Sequence, residues 1–375
     1  MRCKPICIII VLLILAGCAS TGYNTVIKQV ETHLRYQRYD SAETQLKSLI
    51  KSYPEKPEPY YLLGIVNYSK GNYYDCLMNF DKAERYGYSR MENIYFRKGI
   101  ALYHTGNLTE SENVLSLSLT HNPTPETWKQ LGIIRYELGD YRGAIEPLER
   151  AAENFPDDMR CNYYLGRSLF REGRSAESME YLSKACELDP ENPEIIFHTA
   201  NAFMLDGQDR KAVDLYSQIP PESTYGDQST YNSAEAYINL GEYASAVQLL
   251  TYLSEKKPGD YNVRFNLSAA LIKTGDFSQA ASILTDLYED NRYDARMVYN
   301  LGLAHQGQGN SNLSLRYFEE AVSLNPGNPD YRYAYGLELS ANGKDDEALR
   351  QMETVLKLDP GYTNAGNWLD NYSKF

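Results

Sequence analysis

The chain has 375 residues, of which 43% are hydrophobic and 23% are charged, and its formal net charge is −13. This balance excludes an intrinsically disordered chain, because enough apolar surface is present to form a core. The acidic surplus disfavours nucleic acids and anionic membranes as direct partners, since both repel negative charge.

The first residues have the pattern of an export signal. Arg2 and Lys4 give a short positive start, and an apolar run follows at positions 6–15. This run is too short to span a bilayer comfortably. It ends in Leu-Ala-Gly-Cys at positions 15–18, where small residues suit a signal peptidase and the Cys18 thiol offers a nucleophile for lipid transfer. The alternative is an ordinary cysteine within a signal sequence.

This segment resembles the bacterial lipobox. The resemblance implies a lipoprotein signal peptide over residues 1–17, palmitate-type acylation of Cys18, and a short lipidated tether over residues 18–22. Several acyl chains would give durable membrane anchoring. Ala19 is not the aspartate that the resemblance associates with inner-membrane retention, so the expected location is the outer membrane of a bacterial cell envelope, facing the periplasm.

The chain after residue 22 is repetitive. A small residue and a glycine recur seven positions apart, and successive pairs are separated by 33 to 35 residues. An alanine and then a proline follow most pairs at fixed distances. The pairs are Gly64/Gly71, Gly99/Gly106, Gly132/Gly139, Gly166/Gly173, Ala200/Gly207, Ala234/Gly241, Ser268/Gly275, Gly302/Gly309 and Gly336/Gly343.

Each period predicts a helical hairpin. In the repeat at residues 125–158, Gly132 lies on the apolar face of a first helix, and Gly139 ends that helix. Ala144 and Leu148 lie on the apolar face of a second helix. Because Gly132 and Ala144 are small, the two helices can approach closely. Neither helix can bury its apolar stripe alone, so the hairpins must stack.

These positions resemble the tetratricopeptide repeat, whose Trp–Leu–Gly–Tyr…Ala…Phe…Ala…Pro pattern is nearly complete at residues 125–158. The resemblance implies an all-α fold, a right-handed superhelix or α-solenoid of about ten hairpins over residues 23–362. The first helix of each hairpin would line its inner wall. The hairpins are expected to begin near Tyr23, Pro57, Glu92, Pro125, Met159, Pro193, Asp227, Tyr261, Ala295 and Pro329.

Three segments depart from the regular pattern. Val30 replaces the small residue of the first repeat, which suggests a loose N-terminal hairpin. The sequence Ile-Pro-Pro at positions 219–221 cannot remain helical, so residues 219–226 are the expected site of a bend or hinge. Residues 363–375 are predicted to form a C-terminal capping helix, with Trp368 on its apolar face.

Aromatic residues recur at the fifth and twelfth positions of the repeats, which face the inner groove in the family that the chain resembles. They predict an aromatic track that binds a protein or peptide; the alternative is that these rings only pack neighbouring repeats. The predicted groove residues are Tyr61, Tyr68, Phe96, Tyr103, Tyr136, Tyr163, Phe170, Phe197 and Tyr231, and the fifth positions continue as Phe265, Tyr299 and Tyr333.

Three cysteines remain after Cys18. Cys161 and Cys186 lie in one repeat, and an antiparallel hairpin would bring them roughly opposite each other, so a disulfide is possible; two separately buried thiols are the alternative. Cys76 occupies the position of the small alanine in its repeat and is predicted to be a core residue.

The sequence carries no catalytic constellation. Its five histidines are scattered through different repeats, and it contains no His-Glu-x-x-His, Cys-x-x-Cys or nucleophile-elbow motif. The Lys and Asn pair with which some tetratricopeptide domains clamp a terminal carboxylate is absent as well: Lys129 is followed by Ile133, and Asn201 is preceded by Phe197. We therefore expect no enzyme activity, no cofactor and no metal.

The leading hypothesis is a membrane-anchored, periplasm-facing scaffold that helps to assemble an envelope complex, such as secretin or pilus, outer-membrane-protein or peptidoglycan machinery. It would bind a protein or peptide in the groove, and no nucleic acid. One alternative is a surface-exposed adhesin-type lipoprotein. Another is an accessory solenoid that holds saccharide or peptidoglycan by stacking sugars on the aromatic track.

Overall fold

A computed structural model describes residues 22–372, which form α-helices and no β-strand. The chain divides into two compact units, of which the first ends at Asp189 and the second begins at Pro190. The predicted signal peptide and the lipid site Cys18 lie outside the described residues. None of the helices within residues 22–372 has the length and apolar character needed to cross a bilayer.

The first unit contains five helical hairpins, each made of a first and a second helix. Its helices are α1 (22–35), α2 (Tyr39–Ser52), α3 (Pro57–Ser69), α4 (Tyr73–Arg85), α5 (Met91–His104), α6 (Leu108–His121), α7 (Pro125–Glu137), α8 (Tyr141–Asn154), α9 (Met159–Arg171) and α10 (Ser175–Leu188).

The second unit contains five further hairpins and one final helix. Its helices are α11 (Pro193–Leu205), α12 (Asp209–Tyr216), α13 (Gly226–Asn239), α14 (Tyr243–Lys256), α15 (Tyr261–Thr274), α16 (Phe277–Asn291), α17 (Ala295–Gly307), α18 (Ser311–Leu324), α19 (Pro329–Ala341), α20 (Asp345–Leu358) and α21 (Thr363–Tyr372). The all-α repeat architecture predicted from the sequence is confirmed.

Local signals set the ends of the helices, as the fourth hairpin shows. Pro125 takes the first position of α7, where a missing N–H costs nothing. Gly139 adopts a φ of 81° after α7, and its N–H donates to the Tyr136 carbonyl at 2.9 Å. The Asp140 carboxylate then accepts the Gly143 N–H at 2.9 Å and caps α8. The chain therefore reverses direction within three residues.

The two helices of a hairpin pack where the first helix carries a glycine. A Cβ atom placed on Gly132 would lie 2.5 Å from Leu148 Cγ, a distance at which real atoms clash. The equivalent alanine, Ala144, is fully buried. The same close approach recurs in the pairs Gly64 with Phe80, Gly99 with Leu115, Gly166 with Leu182, Gly302 with Phe318 and Gly336 with Met352.

The first hairpin keeps the same packing with different residues. Val30 stands where glycine is usual, and it is fully buried in one cluster with Ala42 and Leu46. Gln37 has a φ of 55° at the turn where the other hairpins use glycine. The structure therefore packs this hairpin into the core of the first unit despite both departures.

The sixth hairpin has a shortened second helix. α12 ends at Tyr216, before the two prolines, as the Ile-Pro-Pro sequence predicts. Ile219 is buried, and a Cβ on Gly226 would lie 2.2 Å from the Pro221 carbonyl oxygen, so this segment packs tightly against the start of α13. A bend at residues 219–226 stays a prediction.

The last helix, α21, covers the end of the array. Ala365 is fully buried, and Trp368 and Leu369 pack against a cluster that contains Met352 and Val355. Each of these contacts places the apolar face of α21 on the tenth hairpin, as predicted for a capping helix.

Candidate binding surface

The first helices of neighbouring hairpins contact one another within each unit. In the first unit α5 contacts α7 and α7 contacts α9, and in the second unit α15 contacts α17. Arg97 Nε donates to the Tyr61 hydroxyl at 3.3 Å, and Asn266 donates to the Tyr231 hydroxyl at 2.8 Å. Each unit therefore has a surface built from consecutive first helices, which we term the first-helix face.

Three of the eight fifth-position aromatics are buried in the joints between hairpins. Tyr61, Tyr163 and Phe197 are buried, at 8%, 6% and 8% exposure. The Tyr61 ring stacks on Tyr88 with centroids 4.3 Å apart, and Phe197 lies 5.0 Å from Tyr225. Each partner precedes the next first helix, so these rings stabilise the stacking of hairpins. Phe96 and Tyr231 are half-buried, as are Phe265, Tyr299 and Tyr333.

The twelfth-position aromatics are less buried. Tyr68, Tyr103, Tyr136 and Phe170 are all half-buried, so each leaves part of its ring accessible. Tyr68 lies within 6.0 Å of the His104 ring, which belongs to the next first helix. These positions provide ordered aromatic surface on the first-helix face of the first unit.

Hairpins four and five bring tyrosines and arginines together in one group. The Tyr136 ring lies 5.2 Å from both Tyr141 and Tyr164. Arg167 Cζ lies 5.3 Å from the Tyr136 ring centroid. Arg171 lies over Tyr141 at 5.5 Å, and Arg160 lies over Tyr164 at 5.9 Å. We term this group the tyrosine–arginine cluster; its members are Tyr136, Tyr141, Tyr164, Arg160, Arg167 and Arg171.

Only Tyr136 of this cluster was predicted from the sequence. The missed signal is the spacing of Arg160, Tyr164, Arg167 and Arg171, which places them on one stripe of α9. The cations between the aromatic residues are not part of the groove that the sequence predicts.

Burial controls the protonation of the cluster tyrosines. Burial raises the pKa of Tyr136, and the positive charges of Arg167 and Arg171 oppose that rise. Burial and the nearby Glu137 carboxylate raise the pKa of Tyr164 to about 12. Both rings therefore remain neutral hydroxyls at physiological pH, able to donate and accept hydrogen bonds.

Two neighbouring cations are already paired with carboxylates. Lys129 Nζ lies 2.7 Å from Asp158, and Arg135 Nε lies 2.8 Å from Glu112. Burial would raise the pKa of Asp158, but hydrogen bonds from Lys129 and from the Cys161 N–H lower it overall. These pairs hold the edges of hairpins three to five together, whereas the cluster arginines lie against rings.

The first-helix face of the second unit has different chemistry. The Asn232 amide donates to Asn201 Oδ1 at 2.9 Å and to the Tyr216 hydroxyl at 3.2 Å, and Tyr216 also donates to Asn201. Two side-chain amides and a tyrosine hydroxyl are therefore held by one another at this point of the surface.

The cysteines do not form the possible disulfide. The Cys161 thiol is fully buried and lies 3.6 Å from the Leu148 carbonyl oxygen of α8, whereas Cys186 lies on α10. Because Cys161 faces the preceding hairpin, the possible Cys161–Cys186 disulfide is absent from the structure, in agreement with the alternative of two separate thiols. Burial raises the pKa of Cys161 to about 12, and Cys76 is buried in the core as predicted.

Two family models described as tetratricopeptide repeat match the sequence. One matches residues 27–75, 129–193 and 299–363, and the other matches residues 230–301. A search of curated proteins gave no match.

Three solved structures to which the chain is similar are distant from it in sequence. MamA (residues 41 to the end) from Desulfovibrio magneticus RS-1 is 20% identical, with a TM-score of 0.43 over 45% of this chain and 96% of that chain. YrrB, described as a TPR protein with an unusual peptide-binding site, is 18% identical, with a TM-score of 0.43 over 51% of this chain and 99% of that chain. Cut9–Hcn1 of the APC/C is 10% identical, with a TM-score of 0.46 over 95% and 97%.

Proposed function

The chain is a tetratricopeptide repeat protein, and from this premise we propose that it is a scaffold that holds a segment of another protein against its first-helix face. The observation that carries the proposal is the half-burial of Tyr68, Tyr103 and Tyr136 on consecutive first helices. Rings that are already held by neighbours lose little side-chain entropy when a partner covers them, and their hydroxyls can bond a peptide backbone.

The proposed scaffold is anchored to a bacterial outer membrane through a lipid on Cys18 and faces the periplasm, where it aids assembly of an envelope complex. The lipobox-like sequence at positions 15–18 supports this part of the proposal. Substitution Cys18→Ser is expected to move the protein from the membrane fraction to the soluble periplasmic fraction. Unchanged membrane association of the variant would argue against the lipid anchor.

The binding surface is tested by replacing two tyrosines. We expect Tyr68→Ala with Tyr103→Ala to reduce capture of partner proteins from detergent-solubilised envelopes by about tenfold or more, since an aromatic contact residue contributes about 2 kcal/mol or more. Capture is quantified by mass spectrometry after pull-down with the full chain.

The matched control is Tyr74→Ala. Tyr74 lies on the second helix α4 and is 73% exposed, so its loss changes aromatic content without touching the first-helix face. Thermal melting of each variant separates binding from folding. If capture falls only in proportion to the fraction unfolded, the two tyrosines serve packing and the proposed surface is wrong.

A further inference from the structure

We propose that the tyrosine–arginine cluster binds a short acidic segment of the partner in extended conformation. This inference rests on the proposed scaffold function and assigns the chemistry of the segment that the first unit holds. It concerns hairpins four and five alone.

The charge of the cluster contrasts with that of the whole chain. The formal net charge is −13, yet the cluster places Arg160, Arg167 and Arg171 on one stripe of α9. Arg160 and Arg171 are exposed, and neither makes an ion pair within residues 22–372. Two carboxylates lie beside them: Glu137, which accepts the Tyr164 hydroxyl at 3.1 Å, and Asp158, which is paired with Lys129 at 2.7 Å and whose pKa Arg160 helps to lower.

The tyrosine rings orient the guanidinium groups before any ligand binds. Arg171 lies over Tyr141 and Arg160 over Tyr164, which limits the side-chain freedom that binding would otherwise remove. A guanidinium that rests on a ring by its face keeps its N–H edge available for the two oxygens of a carboxylate.

The spacing of the arginines favours an elongated ligand over a single small anion. Arg160 and Arg171 are separated by 11 positions on α9, which corresponds to about 16 Å along the helix. An extended peptide covers this distance in about five residues. Tyr136 and Tyr164 lie beside the stripe and offer ring surface to apolar side chains between the acidic ones.

The acidic remainder of the chain argues against a long polyanion. Residues 22–189 contain 24 Asp and Glu against 21 Lys and Arg, so a nucleic acid or an anionic membrane that extends beyond the cluster would find no net positive surface on this unit. A short acidic segment within a protein can reach the arginines without such a surface. Charge complementarity therefore selects a peptide.

The test uses the full chain and three fluorescein-labelled ten-residue peptides. The first peptide alternates Glu with Leu and Phe, the second replaces each Glu by Gln, and the third replaces each Glu by Lys. Anisotropy titrations should give binding of the acidic peptide at least tenfold tighter than either analogue, because only carboxylates make charge-assisted bonds. Its affinity should fall several-fold between 50 and 300 mM salt.

The double variant Arg160→Gln with Arg171→Gln should bind the acidic peptide about tenfold more weakly than the wild type does. The matched control is Arg85→Gln with Arg142→Gln, which removes the same two charges from exposed positions on second helices of the same unit. The control should bind as the wild type does, and both variants should melt within about 2 °C of it, since all four residues are exposed.

Three results would overturn the inference: equal binding of the Glu and Gln peptides, equal weakening by the two double variants, or equally tight binding of an oligo-dT strand of ten nucleotides. If partner capture still depends on Tyr68 and Tyr103 in that case, the scaffold function stands and only the acidic specificity is lost. If the acidic specificity is lost and partner capture does not depend on Tyr68 and Tyr103 either, the proposed function itself is wrong.

Discussion

Gly132 shows how one residue fixes the geometry of a hairpin. The space where its side chain would lie is occupied by Leu148, and the Ala144 carbonyl oxygen is 3.2 Å from the same point. The fully buried Leu148 makes its contacts because the backbone of α7 comes so close. Glycine is therefore required at this position for steric reasons, even though it weakens a helix by about 1 kcal/mol relative to alanine.

The substitution Gly132→Ala is expected to destabilise the fourth hairpin by about 1 to 3 kcal/mol, because Leu148 and the helix backbones must shift. The matched control is Gly366→Ala in α21, where a Cβ would meet no heavy atom within 4 Å. The control should be neutral or stabilising by up to about 1 kcal/mol. Thermal melting by circular dichroism measures both; equal melting temperatures would show that Leu148 accommodates the methyl group without cost.

The element that differs most from its equivalents is α12, which has 8 residues where the other second helices have 13 to 15. The lost helical turns are replaced by a folded connection. Its N–H groups at Ile219, Ser223 and Gly226 donate to carbonyls of Tyr216, Pro220 and Ser223 at 3.0 Å. A buried isoleucine and three internal backbone hydrogen bonds are features of an ordered connection.

Substitution of the buried isoleucine distinguishes an ordered connection from a loose hinge. We expect Ile219→Ala to cost about 2 to 4 kcal/mol, since the removed atoms leave a cavity. Pro220→Ala is the control, because Pro220 is exposed and its replacement should cost about 1 kcal/mol or less through the unfolded state. A neutral Ile219→Ala variant would favour the hinge interpretation of residues 219–226.

At the scale of the whole molecule, the chain is organised as two units of five hairpins each. The large core clusters respect this division: one lies within residues 27–101, another within 133–169 and a third within 234–348. In a repeat array each hairpin is stabilised mainly by its immediate neighbours, so damage should remain local. Each unit therefore has an internal source of stability.

Leu148 and Leu284 are fully buried leucines in different units, so their substitution tests whether damage remains within one unit. Hydrogen exchange measured by mass spectrometry should show that Leu148→Ala reduces protection mainly in residues 91–188 and leaves residues 226–358 as in the wild type. Leu284→Ala should give the reverse pattern. Uniform loss of protection across both units in either variant would mean that the chain unfolds as one cooperative block.

Much of the fold could be predicted from the sequence, but much less of the candidate surface. Helices α7 and α9 begin at Pro125 and Met159, where the repeat predicts them. This is because proline and glycine set the ends of their own helix, and small residues such as alanine set its approach to the other helix of the hairpin. The burial of Tyr61 depends instead on Tyr88, which lies in the connection before the next hairpin and stacks on the Tyr61 ring. No spacing within one helix reveals that contact.

The sequence by itself therefore determined the repeat length, the helical hairpins and the positions at which helices approach closely. Only the tertiary structure decided that Tyr61 is buried while Tyr136 is partly accessible, that Cys161 faces α8, and that arginines of α9 lie over tyrosines. The physical reason is that periodicity assigns a side chain to a face of its helix, whereas the groups that cover that face come from other helices through packing.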